Sequence, residues 1–199
     1  KEKDICVICI HGMCGTIIDN FFATVWGNIL SQNDIGFIYE HNRGHSIEND
    51  IIMKNGSFKR CGCMYEIFEE CIYDIDLAIN KARELGYKRI ILLGHSYGCN
   101  KVIYYYYKKH PNILGVILAS APDMIGSHLS AQSDDYKELL KEAKENIDNR
   151  EYECKFLGST NTLISGDSLS KLTSFVSNKE PKVTPDGIRL YKNIDPNCS

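Results

Sequence analysis

The run Gly94-His95-Ser96-Tyr97-Gly98 sets one serine between two glycines, where the apolar segment RIILL gives way to helical spacing. A serine hydroxyl is a weak nucleophile, and chemistry at such a site depends on how the chain presents it. The Gly-x-Ser-x-Gly pattern alone is weak, because glycine and serine are common. A strand before it and a helix after it give it weight. A sharp strand-to-helix turn forces the serine into a strained conformation and lifts its hydroxyl clear. Strand and helix then crowd at Gly94 and Gly98, where a Cβ would collide. The helix N-terminus adds N–H groups and a favourable dipole for developing negative charge. A second stretch fits the same chemistry. The first apolar run ends in His11-Gly12-Met13-Cys14-Gly15, a turn in which a backbone N–H can face its neighbour. With the N–H of Tyr97, that of Met13 would complete a two-donor oxyanion hole. His11 and Gly12 are read as shaping this loop, and His95 as packing beside the turn.

Two serviceable turns need elements to hold them. Four β-branched runs, Ile5 to Ile10, Ile35 to Glu40, Arg89 to Gly94 and Ile113 to Ser120, are almost continuously apolar. Such runs suit strands buried on both faces, as in a parallel sheet. Between them, Met64, Ile67, Phe68, Cys71, Ile72, Ile75, Ala78, Ile79, Ala82 and Leu85 repeat at three and four residues, and Gly86 fits the position past a helix C-terminus. Strands alternating with helices predict an α/β fold, a doubly wound and mostly parallel sheet. After Pro122 the pattern changes. SDDYKELLKEAKENIDN reads as a charged surface helix with Ser133 or Asp134 as N-cap, and a weaker helical stretch surrounds Leu169, Leu172 and Phe175. No further strong strand is expected, and residues 123–199 read as a lid-like insertion within a single domain spanning 1–199.

Composition narrows the function classes. With 199 residues, 43% hydrophobic, 25% charged and a net charge of -3, the chain suits one soluble domain with a sizeable core. That charge gives no broad basic surface for nucleic acid, and no run approaches the roughly 20 apolar residues of a membrane span. KEKDICVICIHG carries acidic residues and no small-residue cleavage site, so it reads as a strand and not a signal peptide. Nine cysteines at irregular spacing do not suggest a disulfide framework, which favours a reducing, cytoplasmic setting. The CxxC of Cys6 and Cys9 lies in a strand that points them to opposite faces, while Cys61 and Cys63 are expected as unpaired thiols. His41 and His45 flank Asn42-Arg43-Gly44 in a loop, where a four-residue offset does not suit a metal. With neither GxxxxGK nor GxGxxG present, no metal, nucleotide or flavin cofactor is expected. The four tyrosines 104–107 rotate around a helix and cannot form one platform.

The order ICVICIHGMCG, FIYEHNRGHS, ILLGHSYGCNKV, GVILASAPD resembles the α/β-hydrolase superfamily, over Lys3 to about Pro122. On that resemblance HG follows the third strand, an RGH-type loop the fourth, the nucleophile elbow the fifth and a small-residue turn the sixth. The helical insertion falls where many members carry a lid. The resemblance implies a serine hydrolase of the esterase, lipase or acyl-peptidase type. It would cleave an ester or related acyl bond of a small-molecule substrate through an acyl-enzyme on Ser96. It also implies a triad in the order Ser, acid, His, and here neither a seventh nor an eighth strand is visible and no histidine follows His128. Three explanations stand open. The chain is a fragment lacking its first and last strands, as its abrupt start at Lys1 suggests, with base and acid beyond Ser199. Or Asp123 and His128 form a rearranged pair. Or the fold persists without catalysis as a binding module. Acyl transfer by the same serine is a further alternative, and neither substrate nor oligomeric state is legible.

Overall fold

In the computed structural model of the chain, residues 4–63, 65–123, 155–157 and 163–165 are described. The run ICVICI forms β1 (Ile5–Ile10), and every residue after the first is buried. Then follow α1 (Phe21–Gln32), β2 (Gly36–Glu40) and an antiparallel hairpin of β3 (Asn49–Ile52) and β4 (Phe58–Cys61). A 3-10 turn at Phe68–Glu70 leads into α2 (Cys71–Glu84), and β5 (Arg89–His95), α3 (Tyr97–Lys109) and β6 (Gly115–Ala119) complete the main body. Strands β2-β1-β5-β6 lie in that order in one sheet, and every neighbouring pair is parallel.

Both faces of the central strands β1 and β5 are covered, which is why they show so little polar alternation, while Ile117 of the edge strand β6 is 45% exposed. On one face Cys6, Ile8, Ile10, Ile90 and Leu92 pack against Ile75, Ala78, Ile79 and Ala82 of α2 and Val102 and Tyr105 of α3. On the other, Val7, Cys9 and Leu93 pack against Trp26 and Leu30 of α1. Each of the fully buried Ile8, Ile10 and Leu92 contributes roughly 1.5–3 kcal/mol. Cys6 and Cys9 fall in these two opposite clusters, as strand alternation requires. Tyr104 and Tyr105 are buried while Tyr106 and Tyr107 are not, so the tyrosine run divides around α3.

The structure departs from the sequence expectations at four places. The helix expected from residue 64 begins at Cys71, because Ile67 is extended (φ -93°, ψ 116°) and Glu66 is drawn into a buried ion pair. The β3–β4 hairpin was not foreseen, although Asn55-Gly56 is a strong hairpin signal and Gly56 turns at φ 81°. Cys63 is not an unpaired thiol: it forms a disulfide with Cys14, with Cα atoms 5.2 Å apart. That bond removes the ground on which a reducing compartment was expected. Finally, β7 (Lys155–Leu157) and β8 (Leu163–Ser165) form a short antiparallel pair in the part where no further strand was expected. The charged helix after Ser133, the weaker stretch near Leu169 and the lid they were to build lie outside the described residues. Among the described residues no helix is long and apolar enough to cross a membrane.

Candidate active site

Ser96 stands at the junction of β5 and α3 with φ 53° and ψ -126°, a conformation that costs a non-glycine residue roughly 1–3 kcal/mol. The surroundings hold it there. Its N–H donates to the Ala119 carbonyl at 2.9 Å, and its carbonyl accepts the Cys99 N–H at 2.9 Å. The Cys99 thiol donates to the carbonyls of Gly94 at 3.1 Å and Ala119 at 3.3 Å. The flanking glycines are steric necessities. A Cβ at Gly94 would lie 2.6 Å from the Cys99 Cα, and one at Gly98 2.1 Å from the Ile10 carbonyl oxygen.

The loop after β1 closes over the same serine. A Cβ on Gly12 would approach the Ser96 Cβ to 2.9 Å and its Oγ to 3.3 Å. The Gly15 N–H donates to the Gly12 carbonyl at 3.1 Å, which curls the loop around Met13 and Cys14. Among the described residues no acceptor takes the N–H of Met13, or that of Tyr97 in the first turn of α3. His11 is fully buried and stacks on Tyr39. Its Nδ1 lies 2.7 Å from the Gly12 carbonyl, an acceptor, so Nδ1 carries the proton and donates. Burial, aided by the nearby Lys101 ammonium, lowers its pKa to about 3. His11 is therefore a neutral brace of the loop at ordinary pH and a poor proton acceptor. His95 packs its ring on Phe22 and Trp26 of α1, and burial lowers its pKa as well.

Beneath the elbow lies a polar layer. Lys101, one turn into α3 and 1% exposed, donates to Glu66 Oε2 at 2.5 Å and Asn42 Oδ1 at 3.2 Å. The Asn42 Oδ1 also accepts the Gly44 N–H at 3.0 Å. Arg43 in the same loop bonds Asp74 of α2 at 2.9 Å and also Glu70. Glu40, at the end of β2, has a buried Oε2 without a partner among the described residues, and burial with the nearby Asp74 raises its pKa to about 8.

Of the residues singled out in the sequence, Ser96, Tyr97, Gly12, His11, Gly94, His95 and Gly98 meet around one turn, with Met13 in the loop beside it. Asp123 lies four residues past the end of β6, and His128 is outside the described residues. Sequence reasoning missed Lys101, Glu66, Asn42 and the Cys14–Cys63 bond. Lys101 had a signal: it sits three residues after Gly98 and four before Tyr105, on the buried face of α3. Glu66 and Cys63 lie far from their partners in sequence and had none.

A family model described as "Protein of unknown function (DUF1749)", an α/β-hydrolase-like family, matches residues 66–176. No curated protein matches the chain by sequence. Among solved structures, Est1E from Butyrivibrio proteoclasticus, with ferulic acid bound, superposes with a TM-score of 0.60 at 17% identity over 87% of this chain. The chain covers 62% of the Est1E chain. The monoacylglycerol lipase of Paleococcus ferrophilus matches with a TM-score of 0.48 at 17% identity, covering 96% of this chain and 80% of the other. The fold, with its order β2-β1-β5-β6 and helices on both faces, is that of the α/β-hydrolases.

Proposed function

Since the chain belongs to the DUF1749 family and has the α/β-hydrolase fold, we propose that it is a serine hydrolase acting on an ester or related acyl bond of a small molecule. The observation that carries this reading is Ser96 held at φ 53° with Gly12 pressed against it. Strain is stored at that residue while its neighbours over-determine it. In this mechanism the Ser96 Oγ attacks the acyl carbonyl as its proton passes to a base. The tetrahedral oxyanion takes hydrogen bonds from the N–H groups of Tyr97 and Met13, which stabilise charge that exists only after attack. The intermediate expels its alcohol, protonated by the same base, and water hydrolyses the acyl-Ser96 ester by the reverse sequence. His11, held neutral by its surroundings, and His95, which faces α1, are unsuited to act as that base, so the reading takes base and acid from other positions.

The test is intact mass of the full-length protein with and without a fluorophosphonate probe, together with hydrolysis of p-nitrophenyl acetate. One adduct on Ser96, and loss of both adduct and hydrolysis in Ser96→Ala with unchanged melting, is the expected result. Ester hydrolysis that survives in Ser96→Ala sinks the assignment. An unlabelled wild-type protein turns the reading to a binding module.

A further inference from the structure

Lys101 does no chemistry in the mechanism above, yet it is a buried ammonium one turn behind the nucleophile. A charge at that depth is tolerated only when paired and hydrogen-bonded. It is a poor device for stability as such, because apolar residues of similar volume often replace a buried ion pair without loss. What a pair of fixed length and direction does supply is register between the segments it joins. Here those segments carry the two oxyanion donors. Lys101 follows Tyr97 by four residues on the same helix, and its Nζ lies 5.3 Å from the centre of the Tyr97 ring. Its partner Glu66 is fixed from below, as its N–H donates to the Gly62 carbonyl at 2.8 Å. The Gly62 N–H in turn donates to the Arg43 carbonyl at 2.8 Å. Adjacent Cys63 is bonded to Cys14, the residue after Met13. Glu66 also fills the space beside Gly44, where a Cβ would lie 2.2 Å from its Oε2, and Asn42 in that loop is the second acceptor of the ammonium.

We propose that Lys101, through its buried pair with Glu66 and its bond to Asn42, is a positioning residue of the oxyanion hole. It sets the elbow helix, with the Tyr97 N–H, at a fixed distance from the disulfide-linked loop that carries the Met13 N–H. The claim rests on the serine-hydrolase reading and deepens it. Removing the clamp lets the two donors drift apart. A displacement near 1 Å can cost about 100-fold in rate, and because the donors act on the oxyanion, kcat falls while KM stays.

The experiment compares full-length wild type with Lys101→Met/Glu66→Met, which removes both charges and leaves neither partner stranded. Melting temperature, the rate of fluorophosphonate labelling, and kcat and KM for p-nitrophenyl acetate are measured on each. The expected result is a folded double variant whose kcat and labelling rate fall about 10- to 100-fold with KM within about threefold. A double variant with wild-type kcat overturns the clamp and leaves the pair a packing feature. Should the double variant not fold, Lys101→Leu/Glu66→Gln, which removes the donor while keeping the length at 66, decides the question: lowered kcat at unchanged KM supports the clamp, and unchanged kcat overturns it. Wild type without a Ser96 adduct is a different outcome, removing the hydrolase reading and the clamp with it.

Discussion

Gly98→Ala adds one methyl group at the closest approach of α3 to β1. Its Cβ would sit 2.1 Å from the Ile10 carbonyl oxygen and 2.6 Å from that of His11. Both obstacles are backbone, and neither can rotate away as a side-chain tip would. The contact must open from 2.1 Å to at least 3.0 Å, a movement on the order of 1 Å. The end of β1 is held by register with both β2 and β5, so α3 tilts or the turn after Ile10 is pushed aside. Either response would change the spacing of the N–H groups of Met13 and Tyr97, the proposed oxyanion donors, since Met13 follows that turn directly and Tyr97 immediately precedes Gly98. A shift of this size predicts about a 100-fold loss of kcat. Overpacking adds about 1–3 kcal/mol of destabilisation, which at about 2–4 °C per kcal/mol lowers Tm by roughly 2–12 °C. Gly115→Ala is the control, since a Cβ there meets nothing within 4 Å. The assay is p-nitrophenyl acetate hydrolysis beside a thermal melt for both variants. Wild-type kcat and Tm in Gly98→Ala would refute the argument that this contact sets the site.

Reduction of Cys14–Cys63, with a sequence separation of 49, releases a loop whose closure is worth about 4 kcal/mol in the chain-entropy account. A urea midpoint lower by about 2 M, at an m-value near 2 kcal/mol/M, is expected after dithiothreitol. An unchanged midpoint means the bond does not restrain the unfolded chain. The pH dependence of stability has two opposed limbs. His11, lowered to about 3 from 6.5, binds its proton better when unfolded, so its contribution is full above pH 6.5 and is lost as pH falls toward 3. Glu40, raised to about 8 from 4.5, binds its proton better when folded, so its contribution is full below pH 4.5 and is lost as pH rises toward 8. Each limb has a limiting slope of about 1.4 kcal/mol per pH unit. Between pH 4.5 and 6.5 they cancel. Urea midpoints should therefore form a plateau in that interval and fall on both sides, and Glu40→Gln should flatten the alkaline side. A Glu40→Gln variant that declines as steeply as wild type above pH 6.5 would sink the assignment of that limb.

The parallel sheet was readable because its strands are apolar on both sides. Cys6, Ile8 and Ile10 face α2 and α3 while Val7 and Cys9 face α1, and no polar residue interrupts the run. The elbow was readable for a related reason: backbone crowding at Gly94 and Gly98 can be met only by glycine, so the requirement is written locally. The loop at residues 41–45 and the free thiol of Cys61 agree with the expectations, but the expectations fail at Cys63 and over residues 64–70, where the conformation answers to partners distant in sequence. Glu66 leaves the helical pattern for Lys101, and Cys63 is held by Cys14. Periodicity placed the helix from residue 64, yet the extended Ile67 and a 3-10 turn precede the true start at Cys71. The expectation of free thiols holds for Cys6, Cys9, Cys61, Cys71 and Cys99 but not for Cys63, since spacing cannot report a pair 49 residues apart.

The chemistry-bearing positions share one edge. His11 follows β1, Asn42 and Arg43 follow β2, and Ser96 follows β5. This carboxyl edge is where open α/β sheets bind their ligands, because the loops that leave it diverge and form a crevice. Diverging loops cannot hold one another by apolar packing alone, since their exposed backbone needs hydrogen-bond partners. In this chain charged groups beside these loops supply them. Arg43 gives its guanidinium to Glu70 and Asp74 and its carbonyl to Gly62, and Lys101 ties Glu66 and Asn42 to the elbow helix. Both cations sit on the α2/α3 side of the sheet, and His11 above them is kept neutral in part by the Lys101 charge. The layer that fixes the loops therefore also disfavours a proton on His11, so on the serine-hydrolase proposal the acceptor of the Ser96 proton would be a group other than His11.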